Sequence, residues 1–490
     1  MQGKPYAGNP HVRFDEGAGA PKHSGPLFCT MKQNRREFIK AASCMGAVSM
    51  FSGVMAAGKS NAGKTGGSML GYAAPPIPKV RIAYLGMAFR IRMLSMLPGV
   101  EVTAICGETQ DEIAAILKKL ENKKGLSSKP KEYVGSDAVK RLVKDHVADV
   151  LCIDSQLNVI NPALQALSGG MHVFSLLPAR CSVDDCWKLV NASEKNRAHC
   201  AILDGYCIYN QYDLLAFNAV RQGCLGDLVS CEGEYFYDQR NGFASNLDDW
   251  IGMLKARMST CGNSGPFCFG TMCRCLGINH GDQLGSLVSM SSDNISLAAY
   301  AKSHGKGTPL ENMKVERGDE NTTIIRTQKG RLMTLRFGIT VPRPFSRMTG
   351  FSGTKGTLLV NDNSKAGISL CCDKEGSRFQ FANENEIKAF KEKYSHPLCK
   401  NGAEYVRRLG VHGSADCVSI VSLFYALRFG LPLGTDVYDF ATWSSLVELT
   451  DKSVRLGGAP VKCVDFTRGG WKTAQPVPVE DIDVEKFFRV

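Results

Sequence analysis

Val80-Arg81-Ile82-Ala83-Tyr84-Leu85-Gly86-Met87-Ala88-Phe89-Arg90-Ile91 is the stretch that decides how this chain is read. An apolar run over residues 80–85 ends in a glycine and passes at once into a helical pattern that continues through Met93. A strand that turns on glycine into a helix is where α/β sheets hold phosphate, because the first amides of the helix lack intrahelical partners. The full dinucleotide pattern is Gly-x-Gly-x-x-Gly. Only Gly86 is kept here; Ala88 and Ile91 stand at the other two glycine places. Gly86, Met87, Ala88 and Arg90 are thus the candidate phosphate-side residues of a weakened nucleotide turn.

Outward from this turn, short apolar runs alternate with helical patterns. Residues 100–105 precede a helix over 111–120, 150–153 precede one over 162–167, and 173–177 and 201–203 continue the series. Buried strands separated by helices of this length predict βαβ units, hence a Rossmann-like doubly wound parallel sheet over residues 79–205. The second strand of such a sheet should end beside an acidic residue that meets a ribose. Cys106 and Gly107 come first and Glu108 follows, so Glu108 is the candidate, with a surface glutamate as the alternative.

Beyond Tyr206 the rhythm changes. After a helix at 212–221, strand-like segments at 228–237, 322–327, 332–339 and 357–360 follow one another without intervening helices. They predict an α+β domain over 206–475 with a mostly antiparallel open sheet, onto which helices at 416–428 and 438–449 pack. An open sheet face makes a homo-oligomer a reasonable expectation. Residues 476–490 read as a C-terminal tail.

Upstream, Asn34-Arg35-Arg36-Glu37-Phe38-Ile39-Lys40 precedes seventeen uncharged residues, 41–57, rich in Ala, Gly and Ser. Paired arginines before such a segment read as a twin-arginine export signal, and the segment is shorter than the roughly twenty residues of a membrane span. The expectation is a cleavable leader over 31–57 preceded by an upstream extension at 1–30. A flexible tether follows over 58–78, and the mature chain is periplasmic or otherwise exported with no stable membrane anchor.

Residues 1–57 carry seven Lys/Arg and three Asp/Glu, so the net charge of +12 falls to +8 without them. So small a surplus, spread along roughly 430 residues, does not point to nucleic acid. Nineteen cysteines include two in the first 57 residues, and the remaining seventeen, odd in number and irregular in spacing, do not read as a disulfide framework. Cys268, Cys273 and Cys275 are spaced unlike a zinc site and read as small buried hydrophobes, so no metal is expected.

Further residues carry a wider resemblance. They are Leu276-Gly277-Ile278-Asn279-His280-Gly281-Asp282, Asn321-Thr322-Thr323, Val341-Pro342-Arg343-Pro344-Phe345-Ser346-Arg347, Gly353-Thr354-Lys355-Gly356, Asp436-Val437-Tyr438-Asp439 and Asp465-Phe466-Thr467-Arg468-Gly469. With these, the chain from Val80 to about Lys472 resembles the Gfo/Idh/MocA oxidoreductases, and within them the NAD-dependent glycosidases of glycoside hydrolase family 109. The resemblance implies NAD as cofactor and a small sugar or glycoside as ligand. It also implies a reaction in which hydride leaves C3 of the sugar, the glycosidic oxygen is eliminated, water adds and hydride returns.

The resemblance further implies site residues. Asp154-Ser155-Gln156-Leu157-Asn158-Val159 stands where relatives have Thr-Pro-Trp-Glu-Trp-His beside the nicotinamide, and Leu176-Leu177-Pro178 where they have Glu-Val-Pro. Ser155, Gln156, Asn158 and Pro178 are accordingly expected at the cofactor. Ser264-Gly265-Pro266-Phe267 replaces Tyr-Pro-Thr-His, and Phe345 replaces a tyrosine. Arg240 and His412 align with retained positions and Tyr209 with an active-site tyrosine, so these three are the catalytic candidates. His280, where relatives usually carry Arg, is expected to hold a loop. An altered acid/base set leaves two expectations open: an exported NAD-dependent enzyme acting on carbohydrate, or a non-catalytic carbohydrate-binding or scaffold protein on the same fold.

Overall fold

The computed structural model describes residues 66–120, 129–244, 268–372, 380–400, 404–405 and 415–489. The leader, residues 264–267 and His412 lie outside them. Six parallel strands form the first sheet: β1 (Val80–Gly86), β2 (Val100–Gly107), β3 (Lys131–Val134), β4 (Val150–Asp154), β5 (His172–Ser175) and β6 (Cys200–Ile202). Their order is β3-β2-β1-β4-β5-β6. The chain builds outward from β1 on one side and then crosses to β4 on the other, so a crevice opens between the C-terminal ends of β1 and β4. Strand β4 is buried along its whole length, and β1 is buried at Val80, Ile82, Ala83 and Tyr84, which is why both read as largely apolar runs. Helix Gln110–Leu120 buries Ile113, Ile116 and Leu120 on one stripe. Helix Val183–Asn196 starts at a capping box between Ser182 and Asp185.

The second sheet contains β7 (Leu228–Phe236), β8 (Leu284–Ser291), β9 (Glu320–Thr327), β10 (Leu332–Gly338), β11 (Ser346–Gly353), β12 (Gly356–Asn361), β13 (Ile368–Cys372) and β14 (Val461–Lys462). The order is β13-β12-β11-β7-β10-β9-β8-β14, antiparallel throughout except for the β7–β10 pair. Strand β9 alternates strictly, with Asn321, Thr323, Ile325 and Thr327 buried and Thr322, Ile324 and Arg326 turned outward. Helix Val437–Arg455 lies along β8, and helix Phe269–Leu276 against β7. No described helix is long and apolar enough to cross a membrane.

Two expectations about the ends of the fold are corrected. The tether is not free over its second half: Met69 and Ala74 are buried, the Met69 amide donates to Tyr438 Oη at 3.1 Å, and Tyr72 packs its ring on His199. Its scattered apolar side chains fill a groove, and its glycines and prolines supply turns. Residues 476–489 are not a loose tail. Glu480 accepts hydrogen bonds from Tyr209, Arg274 and Ser422, and Ile482 and Phe487 are buried.

All described cysteines are free thiols. Cys268 and Cys273 are buried, and Cys268 Sγ donates to the Glu234 and Met348 carbonyls at 3.3 Å each. Burial pushes the Cys268 and Cys273 thiols above their ordinary range.

Candidate functional site

Gly86 has φ +113°, and a β-carbon there would sit 2.5 Å from the Asp154 carbonyl oxygen. Only glycine fits where β1 ends beside β4. The turn then closes on itself: the Met87 amide donates to Asp154 O at 2.8 Å and the Phe89 amide to Met87 O at 2.7 Å. The helix that follows, Ile91–Leu94, is a single turn. At its start the Arg90 amide donates to Asp154 Oδ2 at 3.0 Å, and the Tyr84 hydroxyl donates to the same carboxylate. Asp154 is fully buried. The protein's own carboxylate thus takes the helix-start amide that a pyrophosphate would use.

A cavity of about 320 Å³ lies at the crevice, lined by Gly86, Met87, Glu108, Ser155, Gln156 and Asn158 among others. Six sequence-derived cofactor candidates therefore share one wall. Glu108 is exposed at the end of β2, and Asn158 donates to its Oε1. Ala88 is half-buried and packs toward the core, and Pro178 is buried; neither lines this cavity. As a dinucleotide site the crevice fits at one end only. The Glu108 carboxylate suits ribose hydroxyls, whereas the amides of Met87, Phe89 and Arg90 are already taken by internal acceptors.

A second cavity, of about 580 Å³, shares Met87 and Gln156 with the first. Its polar wall carries Arg90, Asp204, Asn210, Arg347, Asp362 and Asp416; its apolar wall carries Phe89, Tyr206, Tyr235 and Phe345. Tyr235 and Phe345 meet edge to face at 5.6 Å between centroids. Phe345 is 38 % exposed and Tyr206 48 %, so both present ring surface to the cleft.

Arg90, expected on the cofactor, is committed elsewhere. Its Nη1 donates to Asp154 Oδ1 at 2.5 Å and its Nη2 to both oxygens of Asp416 at 3.1 Å. Burial alone would weaken the guanidinium's hold on its proton, but Asp416 and Asp154 outweigh it and raise the Arg90 pKa. One cation thus serves two buried acids. Burial, opposed by Arg90 and reinforced by the charge of Asp204, lifts Asp416 above the usual carboxylate range. Asp416 is therefore the acid of the trio whose pKa burial raises, and it lines the cleft. Deeper in the wall, Arg347 pairs with Asp213 and, at 3.4 Å, with Asp362.

Among the described residues, the sequence candidates Tyr209, Arg240 and His280 are not in the lining of either cavity. Tyr209 is buried; its hydroxyl donates to Glu480 at 3.0 Å, and burial, with the Glu480 charge beside it, raises its pKa. Its role is structural, because the C-terminal segment covers it. Arg240 is clamped on Asp238 at 2.8 Å and lies over the Tyr300 ring. His280 Nδ1 bonds the Gln475 carbonyl at 2.9 Å and ties two loops together. Asp154, Asp204 and Asp362 were missed as site residues. Asp154 carried a usable signal, an ionisable side chain closing an otherwise apolar strand.

Comparisons with known proteins complete the description. The model described as glycosyl hydrolase 109, C-terminal domain, matches residues 209–473. The chain is 34% identical over 417 residues to the alpha-N-acetylgalactosaminidase of Bacteroides fragilis, covering 82% of this chain and 96% of that one. It is 33% identical over 455 residues to a glycosyl hydrolase family 109 protein of Solibacter usitatus, covering 91% and 100%. Among solved structures, levoglucosan dehydrogenase in complex with NADH and L-sorbose superposes with a TM-score of 0.58 at 14% identity, covering 79% of this chain and 99% of that one. That likeness concerns the fold.

Proposed function

The chain belongs to glycoside hydrolase family 109, and from that premise we propose that it is an exported protein acting on a glycoside in the 580 Å³ cleft, with NAD in the adjoining crevice and an altered acid/base set. The observation that carries this reading is that the two cavities meet at Met87 and Gln156, where a cofactor and a sugar would face each other.

Recognition follows from the lining. Tyr206 and Phe345 offer ring faces to the C–H side of a pyranose, while Asn210, Asp204 and Asp362 accept from hydroxyls. Glu108 would hold the cofactor's ribose, and NAD, when bound, supplies a hydride acceptor. Asp416 stands at the cleft wall with its pKa raised by burial and its orientation fixed by Arg90, which makes it the carboxyl placed to exchange a proton with a leaving glycosidic oxygen. Because Asp154 occupies the helix start, the pyrophosphate must bind with fewer backbone donors, and the cofactor is expected to be held more loosely than by an intact glycine turn. The same feature favours the second reading, a carbohydrate-binding protein without turnover. The relative from Bacteroides fragilis is named for α-N-acetylgalactosamine, which makes an α-N-acetylgalactosaminide the first ligand to try.

The test is to purify the protein from its own export route, denature it and assay released NAD, alongside calorimetric titration with NAD and with the glycoside. Cofactor binding together with glycoside turnover supports the enzyme. Glycoside binding without either leaves the binding protein, and no binding of sugar or NAD overturns both. Export is tested separately: lysine at both Arg35 and Arg36 should trap the precursor in the cytoplasm.

A further inference from the structure

A third cavity, of about 620 Å³, lies apart from the cleft residues and is walled by residues 68–72, 432–434, 470 and 473–478 together with His199, His280, Asp436 and Asp439. We propose that His280, Asp436 and Asp439 bind one divalent first-row transition-metal ion at the wall of this cavity.

One donor atom from each of the three residues lies within 4.8 Å of the other two, a separation that small side-chain rotations close to a shared ion with bonds of about 2.0–2.2 Å. Helix capping alone does not account for the carboxylates. Asp436 Oδ1 accepts the amides of Tyr438 at 2.8 Å and Asp439 at 3.1 Å, and Asp439 Oδ2 accepts the Asp436 amide at 3.2 Å. Asp436 Oδ2 is left over. It is buried without a hydrogen-bond partner, on a residue only 9 % exposed that lines the cavity. A buried carboxylate oxygen with nothing to accept from is costly unless a cation or proton meets it.

The imidazole has a nitrogen to offer as a ligand. A carbonyl can only accept, so the contact between His280 Nδ1 and Gln475 O fixes the proton on Nδ1 and leaves the Nε2 lone pair available. Asp439 is held in turn by Asn279 Nδ2 at 3.0 Å, and Asn279 by Gln283 Nε2 at 2.9 Å. Asn279 keeps a left-handed φ of +66° immediately before His280, and that backbone conformation aims the ring. One imidazole and two carboxylates suit Mn²⁺ or Zn²⁺ better than Ca²⁺ or a thiol-seeking ion.

Mn²⁺ is the probe, since it ignores the many thiols of this chain. Full-length protein stripped with EDTA is titrated with MnCl₂ while the free-ion electron paramagnetic resonance signal is followed. The expected result is one saturable equivalent per chain, weakened at least about tenfold by Asp436→Asn and by His280→Gln. Asparagine keeps the N-cap acceptor at 436, and should that variant fail to fold, the half-buried His280 decides alone. No saturable equivalent, or wild-type affinity in every folded variant, overturns the site.

Discussion

Asp154 grips Arg90 twice, taking its backbone amide at 3.0 Å on one oxygen and its guanidinium at 2.5 Å on the other. A residue that should have faced a phosphate is thereby turned inward, and the same arginine reaches across the chain to Asp416. The crevice and the cleft are joined by a charged pin.

Replacing Arg90 with methionine keeps volume and removes the cation, leaving two buried acids without a partner. Stability should fall by about 3–5 kcal/mol, read as a lower urea midpoint with an unchanged slope. A loss under 1 kcal/mol would mean the trio is solvated.

Asp416→Asn keeps the shape of the wall and removes its titratable carboxyl. Glycoside turnover, where present, should drop about 100-fold or more in kcat with KM little changed. A variant that lost binding instead would make Asp416 a recognition group.

Gly86→Ala forces a β-carbon against the Asp154 carbonyl at a left-handed φ. The strain should lower stability by roughly 1–3 kcal/mol and weaken NAD binding, whereas Ala88→Gly, outside the cavity lining, should leave stability within about 1 kcal/mol and NAD binding unchanged. Calorimetry on the pair separates strain from ligand contact.

Acid should loosen the protein before its carboxylates titrate. Burial holds His172 down at about 4 and His199 at about 3, against an ordinary 6.5. Their folded values are depressed, so the unfolded chain takes up protons first. The stability these rings contribute is whole above 6.5 and is lost as pH falls toward 4 and 3. Asp436, raised to about 7, works in the opposite sense. Urea midpoints measured across this range should show a shallower acid slope in His199→Phe than in the parent; equal slopes would sink the assignment.

Much of the fold was legible because its strands are buried on both faces or alternate cleanly. Residues 150–153 and 322–327 announce themselves through apolar runs and period-two patterning. Lys131–Val134 and Ser346–Gly353 did not, since one is a short, charged edge strand and the other is held by neighbours on both sides despite its Ser and Gly content. The crevice was legible through Gly86, Glu108 and the segment after β4, all fixed by sheet topology. The cleft was not. Its key contacts join residues more than three hundred positions apart, as between Arg90 and Asp416, and no local pattern encodes which carboxylate an arginine will choose. Tyr209 misled for a related reason, because the residue that covers it arrives 271 positions later.

That late arrival has a consequence for how the second domain is held shut. Arg274 and Tyr209 both end on Glu480, so the counter-charge of a buried guanidinium is supplied by residues 476–489 and not by the sheet around it. The segment works as a clasp, and prising it away would strand a cation in the interior.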